Sequence, residues 1–192
     1  MDGENAMTSQ ADVLREVLFA LQSTGDQYMI VGSVAASFHG FSRATHDIDI
    51  VISLAPDAVR ALASALGEGF YFDEISARRA VERRDMFNVI HMESGIKVDF
   101  WILPDDEFSR SQFTRRQAQD FEGMEAWVAS AEDTILAKLL WYRETPSERQ
   151  LGDIRAILAA QDGQLDWGYL DFWAERLGIK NLLYQLAEEV RG

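Results

Sequence analysis

Cysteine is absent from the 192 residues. Its absence excludes a disulfide scaffold, a zinc–thiolate centre and a cysteine nucleophile, and it suits a reducing compartment. No apolar run approaches the roughly 18 residues that would span a bilayer. The opening Met1–Met7 is polar and acidic and does not have the pattern of a signal peptide. It reads as a frayed lead-in covering residues 1–9, with Met7 a second possible start, and the expected location is cytoplasmic, with no membrane partner. Basic residues are in the minority: 18 Lys+Arg stand against 32 Asp+Glu, a formal charge of −14. Duplex DNA is therefore not an expected partner, because neutralising phosphates takes clustered Lys and Arg. Two phosphate-binding signatures are also missing, the Gly-x-x-x-x-Gly-Lys-Ser/Thr run of Walker ATPases and the Gly-x-Gly-x-x-Gly turn of dinucleotide-binding folds.

What is present is globular. Apolar residues make up 47% and aromatics 11%, enough for a substantial core. Charge is unevenly spread: residues 1–75 hold 11 acids against 3 bases and residues 119–192 hold 14 against 7, whereas residues 76–118 hold 7 against 8. Arg78, Arg79, Arg83, Arg84, Arg110, Arg115 and Arg116 fall in that middle stretch. They are either a solvated helix face or a local contact for phosphates.

Periodicity divides the chain in two. Residues 10–24 have helical spacing and stop at Gly25; Tyr28–Val31 is a short apolar strand running into Gly32-Ser33 and a small-residue helix. Residues 46–53 alternate as a strand, with Ile48, Ile50 and Ile52 on one side and Asp47, Asp49 and Val51 on the other. Helices are expected at 56–66 with Pro56 in the first turn, at 76–84 and at 105–119, and strands at 86–92, 96–103 and 124–128, the first two joined by a hairpin at Glu93-Ser94-Gly95. Four helices follow, at about 131–143, 148–160, 166–177 and 180–190, two of them opened by capping-box-like runs at Ser130 and Ser147. The expected organisation is an α/β domain over 10–128, with a mixed sheet flanked by helices, and a helical C-terminal region over 129–192.

Chemistry concentrates in 28–52. Two residues apart on one strand, the Cα atoms of Asp47 and Asp49 should lie about 6.6 Å from each other with both side chains on one face. Two carboxylates so placed repel unless a cation lies between them, and hard divalent ions with oxygen ligands, Mg²⁺ or Mn²⁺, are the natural candidates. Asp99, set among Val98, Phe100 and Trp101, is an acid in an apolar strand that needs a partner. If its strand lies beside the first, three carboxylates converge, a set able to hold metal ions for phosphoryl or nucleotidyl transfer. Gly32-Ser33 lets backbone approach a ligand and offers N–H groups and a hydroxyl to phosphate.

Gly32, Ser33, Asp47, Asp49 and Asp99 together resemble the mark of the nucleotidyltransferase superfamily that includes DNA polymerase beta. The run Arg43–Asp49, the later Ala131–Leu139 and Gly152-Asp153-Ile154 resemble most the AbiEii/AbiGii toxin-like members and their bacterial relatives. The resemblance implies an enzyme that moves a nucleoside monophosphate from an NTP such as ATP to an acceptor hydroxyl, the acceptor being a tRNA end, a protein or a small molecule. A toxin of this kind would have an antitoxin protein as partner. Asp47, Asp49 and Asp99 would hold Mg²⁺ (or Mn²⁺), Asp99 would help deprotonate the acceptor, and Gly32 and Ser33 would grip phosphate.

Several residues keep two readings. Lys138 either snorkels to water or reaches into the cleft to neutralise phosphate, and Asp153 either orients Lys138 across a helix pair or makes a surface pair on its own helix. Arg43 and Thr45 either touch phosphate or a neighbouring acid, or stabilise their loop. His39, His46 and His91 match no usual zinc spacing. Trp141, Tyr142, Trp167, Tyr169, Phe172 and Trp173 fit a core better than a base-stacking platform. The alternative to an enzyme is a non-catalytic, antitoxin-like module that binds a nucleotide or a partner and keeps the fold.

Overall fold

The computed structural model describes residues 8–40 and 47–191. Arg43, Thr45 and His46 lie outside the described residues, as does the expected lead-in through residue 7. The helix α1 (Gln10–Thr24) opens on Ser9, whose hydroxyl accepts from the Asp12 N–H while the Asp12 carboxylate accepts from the Ser9 N–H, and it closes on Gly25 in the left-handed region. Strand β1 (Gln27–Val31) leads directly into the short helix α2 (Gly32–Phe38). Then come β2 (Asp47–Ser53), α3 (Val59–Leu66), β3 (Phe70–Phe72), α4 (Glu74–Arg83), β4 (Met86–His91) and β5 (Lys97–Ile102). They are followed by α5 (Glu107–Arg115), β6 (Gln117–Phe121), β7 (Met124–Val128) and the helices α6 (Ala131–Glu144), α7 (Glu148–Ala160), α8 (Trp167–Leu177) and α9 (Lys180–Arg191).

The strands form one seven-stranded sheet in the order β3-β4-β5-β2-β1-β7-β6. It is mixed: β2 runs parallel to β5 and antiparallel to β1, and β1 runs parallel to β7. The class is α+β, as the sequence pattern implies.

Three expectations need correction. The helix expected over 105–119 ends at Arg115, and Gln117–Phe121 is an edge strand paired with β7 through Glu122-Gly123, both at positive φ. That two-residue left-handed turn is a hairpin signal, but the polar run Gln117–Asp120 does not show strand alternation. Strand β3, only three residues long, is an addition. Pro56 sits in a turn ahead of α3 rather than inside it, and Ser147 precedes α7 without a side-chain cap bond.

Burial explains the register. Ile48, Ile50 and Ile52 are fully buried in a core shared with α1, α3 and α4. Each is worth about 1.5–3 kcal/mol there, and a one-residue slip would drive Asp47 and Asp49 into that core. A second core joins α6, α7, α8 and α9, and Ala36 of α2 and Phe108 of α5 belong to it. The acidic face of β2 is therefore turned toward α2 and the C-terminal helices. Among the described residues, no helix is long and apolar enough to cross a membrane.

Candidate active site

On β2, Asp47 is exposed and Asp49 half-buried, and both occupy the face opposite the isoleucines. The parallel register sets Asp47 beside Lys97 and Asp49 beside Asp99 on β5. The structure thus brings the three acids onto one patch of two adjacent strands. On its far side Asp99 has Asn88 of β4 as its register partner, and Asn88 is exposed on the same face.

Asp99 is 6% exposed, and its Oδ1 is buried with no hydrogen-bond partner. Its Oδ2 accepts from Lys97 Nζ at 2.7 Å, and the same ammonium stands 4.0 Å from Asp47 Oδ1. The bond to Asp99 raises the Lys97 pKa above the usual lysine value. For Asp49, burial dominates and pushes its carboxyl above the ordinary carboxylate range; a hydrogen bond from the Trp101 side chain opposes this, and the negative charges of Asp99 and Asp47 add to it. Among the described residues, no three acidic or histidine side chains form a ready metal-binding group as they stand. Among the described residues, the Lys97 ammonium is the cation that stands between Asp47 and Asp99.

Gly32 begins α2 with φ at +66°, and a Cβ built on it would lie 2.4 Å from Asp49 Oδ2. Only glycine tolerates both the backbone and the approach. The strand-to-helix turn is thereby held against the carboxylate it was expected to serve, and Ser33 follows in the first turn of α2. These observations fit a bound divalent cation: an orphaned buried carboxylate oxygen, a monovalent cation standing among the acids, and a glycine cradle against Asp49.

Lys138 is held by a partner inside the fold rather than extended into water. It is buried on α6, and its Nζ donates to Asp153 Oδ2 of α7 at 2.7 Å, with Asp153 fully buried. Asp153 therefore makes a cross-helix pair and not a surface pair on its own helix. Toward the same side, Trp101 of β5 meets the half-exposed Trp141 of α6 edge-on, ring centroids 6.1 Å apart.

The middle arginines do not form one patch. Arg110 pairs with Asp105, and Arg84 donates to the Leu103 carbonyl. Arg116 covers the Phe113 and Trp127 rings. Arg115 stacks on Tyr169, whose hydroxyl donates to the fully buried Asp133 at 2.7 Å. His39 is buried, with its Nε2 donating to the Ala129 carbonyl at 2.7 Å, and His91 contacts Ser94 and Glu16. Trp173 is core, whereas Trp141 and Phe172 are half-exposed. Sequence reasoning did not single out Lys97, Trp101 or Asn88, because only the strand register brings them to the acids.

The profile of the family described as nucleotidyltransferase of unknown function (DUF6036) matches residues 11–190, and the chain belongs to that family. No curated protein matches the chain in sequence. Among solved structures, it is similar to the solution structure of the antibiotic-resistance factor ANT(2'')-Ia, with TM-score 0.58 and 14% identity over 93% of this chain and 98% of that one. The crystal structure of ANT(2'')-Ia with adenylyl-2''-tobramycin gives TM-score 0.52 and 13% identity over 95% and 97% of the two chains. An antigenic nucleotidyltransferase-like protein from Paracoccidioides brasiliensis gives 0.50 and 14% over 95% and 94%. At such identities the likeness shows the fold.

Proposed function

We propose that the protein is a Mg²⁺-dependent nucleotidyltransferase that joins the α-phosphate of an NTP to an acceptor hydroxyl and releases pyrophosphate. The observation that carries this reading is the register pairing of Asp49 with Asp99, one held against Gly32 and the other with a buried, unpartnered oxygen. Asp47, Asp49 and Asp99 are the metal ligands in this reading. Bound there, Mg²⁺ (or Mn²⁺) supplies charge neutralisation to the triphosphate and lowers the pKa of the attacking hydroxyl. Asp99 Oδ1 accepts or orients the proton leaving that hydroxyl. The Gly32 and Ser33 N–H groups and the Ser33 hydroxyl hold the β- or γ-phosphate. Lys138, held by Asp153, is a candidate phosphate contact from α6, and Arg43 and Thr45, outside the described residues, are candidates for the same role.

The neighbour bound to an adenylylated aminoglycoside makes ATP and a polyhydroxylated small molecule the first pair to assay. Proteins and tRNA ends follow, with RNA disfavoured by the net charge of −14. The finer likeness of 43–49 and 131–139 to AbiEii/AbiGii toxins supports a cytoplasmic toxin restrained by an antitoxin protein. One observation favours a second reading, a nucleotide- or partner-binding module without catalysis: Lys97 already neutralises Asp99.

The test incubates the protein with each α-phosphate-labelled NTP, Mg²⁺ and, in turn, aminoglycosides, total tRNA or cell lysate. Label transfer by the wild type and not by Asp47→Asn/Asp49→Asn supports the enzyme and identifies its acceptor. NTP binding with no transfer to any acceptor supports the module.

A further inference from the structure

The chain has only three lysines, and one of them stands among the candidate metal ligands. Lys97 and Asp99 are alternate residues of β5 and share a face, and the parallel register puts Asp47 directly beside Lys97. The ammonium lies 2.7 Å from Asp99 Oδ2 and 4.0 Å from Asp47 Oδ1, so it bridges two carboxylates from two strands. It satisfies Asp99 by half, since Oδ1 is buried and unpartnered. The Lys97 side chain is 38% exposed, which leaves its flexible stem a path to solvent.

We propose that Lys97 is a tethered counter-cation that holds the space between Asp47 and Asp99 in the metal-free protein and is displaced when a divalent ion enters. The proposal rests on the metal-dependent reading above and adds a residue that the reading does not use. Lysine suits the part: its head is a compact point charge on a mobile stem, whereas an arginine fork would grip a carboxylate at two points and leave less readily. A divalent ion arriving alone must expel the ammonium into water. One arriving with a triphosphate brings anionic oxygens that can receive it. Lys97 thus makes metal loading conditional on nucleotide, and Asp99 keeps a counter-charge between turnovers.

Mn²⁺ binding to the full-length chain, followed by the electron paramagnetic resonance of the free ion, tests this without any turnover. Lys97→Met keeps the length of the side chain and removes its charge; Lys97→Arg keeps the charge. The expected result is that Lys97→Met binds Mn²⁺ alone at least about tenfold more tightly than the wild type, since a unit charge a few ångströms away is removed. Lys97→Arg should bind no more tightly than the wild type. A non-hydrolysable ATP analogue should strengthen Mn²⁺ binding more in the wild type than in Lys97→Met. Equal or weaker Mn²⁺ binding by Lys97→Met overturns the proposal, as does Lys97→Arg behaving like Lys97→Met. Should Lys97→Met not fold, Lys97→Gln takes its place with the same expectations. Metal-dependent transfer with Mn²⁺ affinity indifferent to Lys97 defeats this inference alone. No Mn²⁺ binding by any variant, with or without the analogue, defeats it together with the metal-dependent reading.

Discussion

Asp49 and Asp99 are register partners across the parallel strands β2 and β5, with their side chains on the same face of the sheet. Like charges so placed oppose folding unless one is protonated or a cation joins them. The pKa of Asp49 is raised, chiefly by burial. For an acid with a raised folded pKa, the native state binds more protons than the unfolded chain above pH 3.8, so its ionisation lowers stability as pH rises through that window. Asp49→Asn should therefore raise the melting temperature of the metal-free protein at pH 7, by about 2–4 °C, while removing transfer. Differential scanning fluorimetry in EDTA checks this; a fall in melting temperature would contradict it.

Gly32 gives a separate handle on the same carboxylate. Gly32→Ala places a methyl group 2.4 Å from Asp49 Oδ2 at a φ of +66°. Either the carboxylate or the turn must move, and a shift of about 1 Å at a reacting centre can cost about 10²-fold. Steady-state kinetics should show kcat falling by about that factor with the circular dichroism spectrum unchanged.

Lys138 and Asp153 form a buried pair between α6 and α7. Removing one partner strands a buried charge and costs about 3–5 kcal/mol, whereas replacing both with apolar groups is often close to neutral. Urea unfolding should find Lys138→Met strongly destabilised and Lys138→Met/Asp153→Leu partly restored. If Lys138 also serves phosphate, the restored double variant will still show a raised KM for NTP.

Much of this was legible in the chain itself. The alternation of Ile48, Ile50 and Ile52 with Asp47 and Asp49 identifies both the strand and its two faces, because burial and solvent impose period two. Asp99 stands out as an acid in an apolar strand, and Gly32 as a glycine where strand meets helix. Lys97 did not stand out, since a lysine at a strand end ordinarily faces water; only the pairing of β5 with β2 sets it against Asp47. Arg115 read as one of a row of bases, yet its partners Tyr169 and Asp133 come from α8 and α6, beyond the reach of local pattern. Strand β6 was obscured because an edge strand of polar residues has no buried face to enforce alternation.

His39 links the end of α2 to Ala129 at the start of the helical region. Its pKa lies below the usual 6.5, mainly because burial disfavours the charged ring. The stability it contributes is complete above pH 6.5 and is lost as pH falls from there through the lowered folded value. Urea midpoints measured from pH 7.5 to pH 5 should fall for the wild type and change less for His39→Gln.

The most direct test of the central claim is Mg²⁺- and NTP-dependent pyrophosphate release in the presence of an identified acceptor, compared among the wild type, Asp49→Asn and Asp99→Asn. The account predicts release by the wild type that chelation abolishes, and a loss of at least about 10³-fold in either variant with the fold intact. Release that persists at wild-type rate in Asp99→Asn would contradict it.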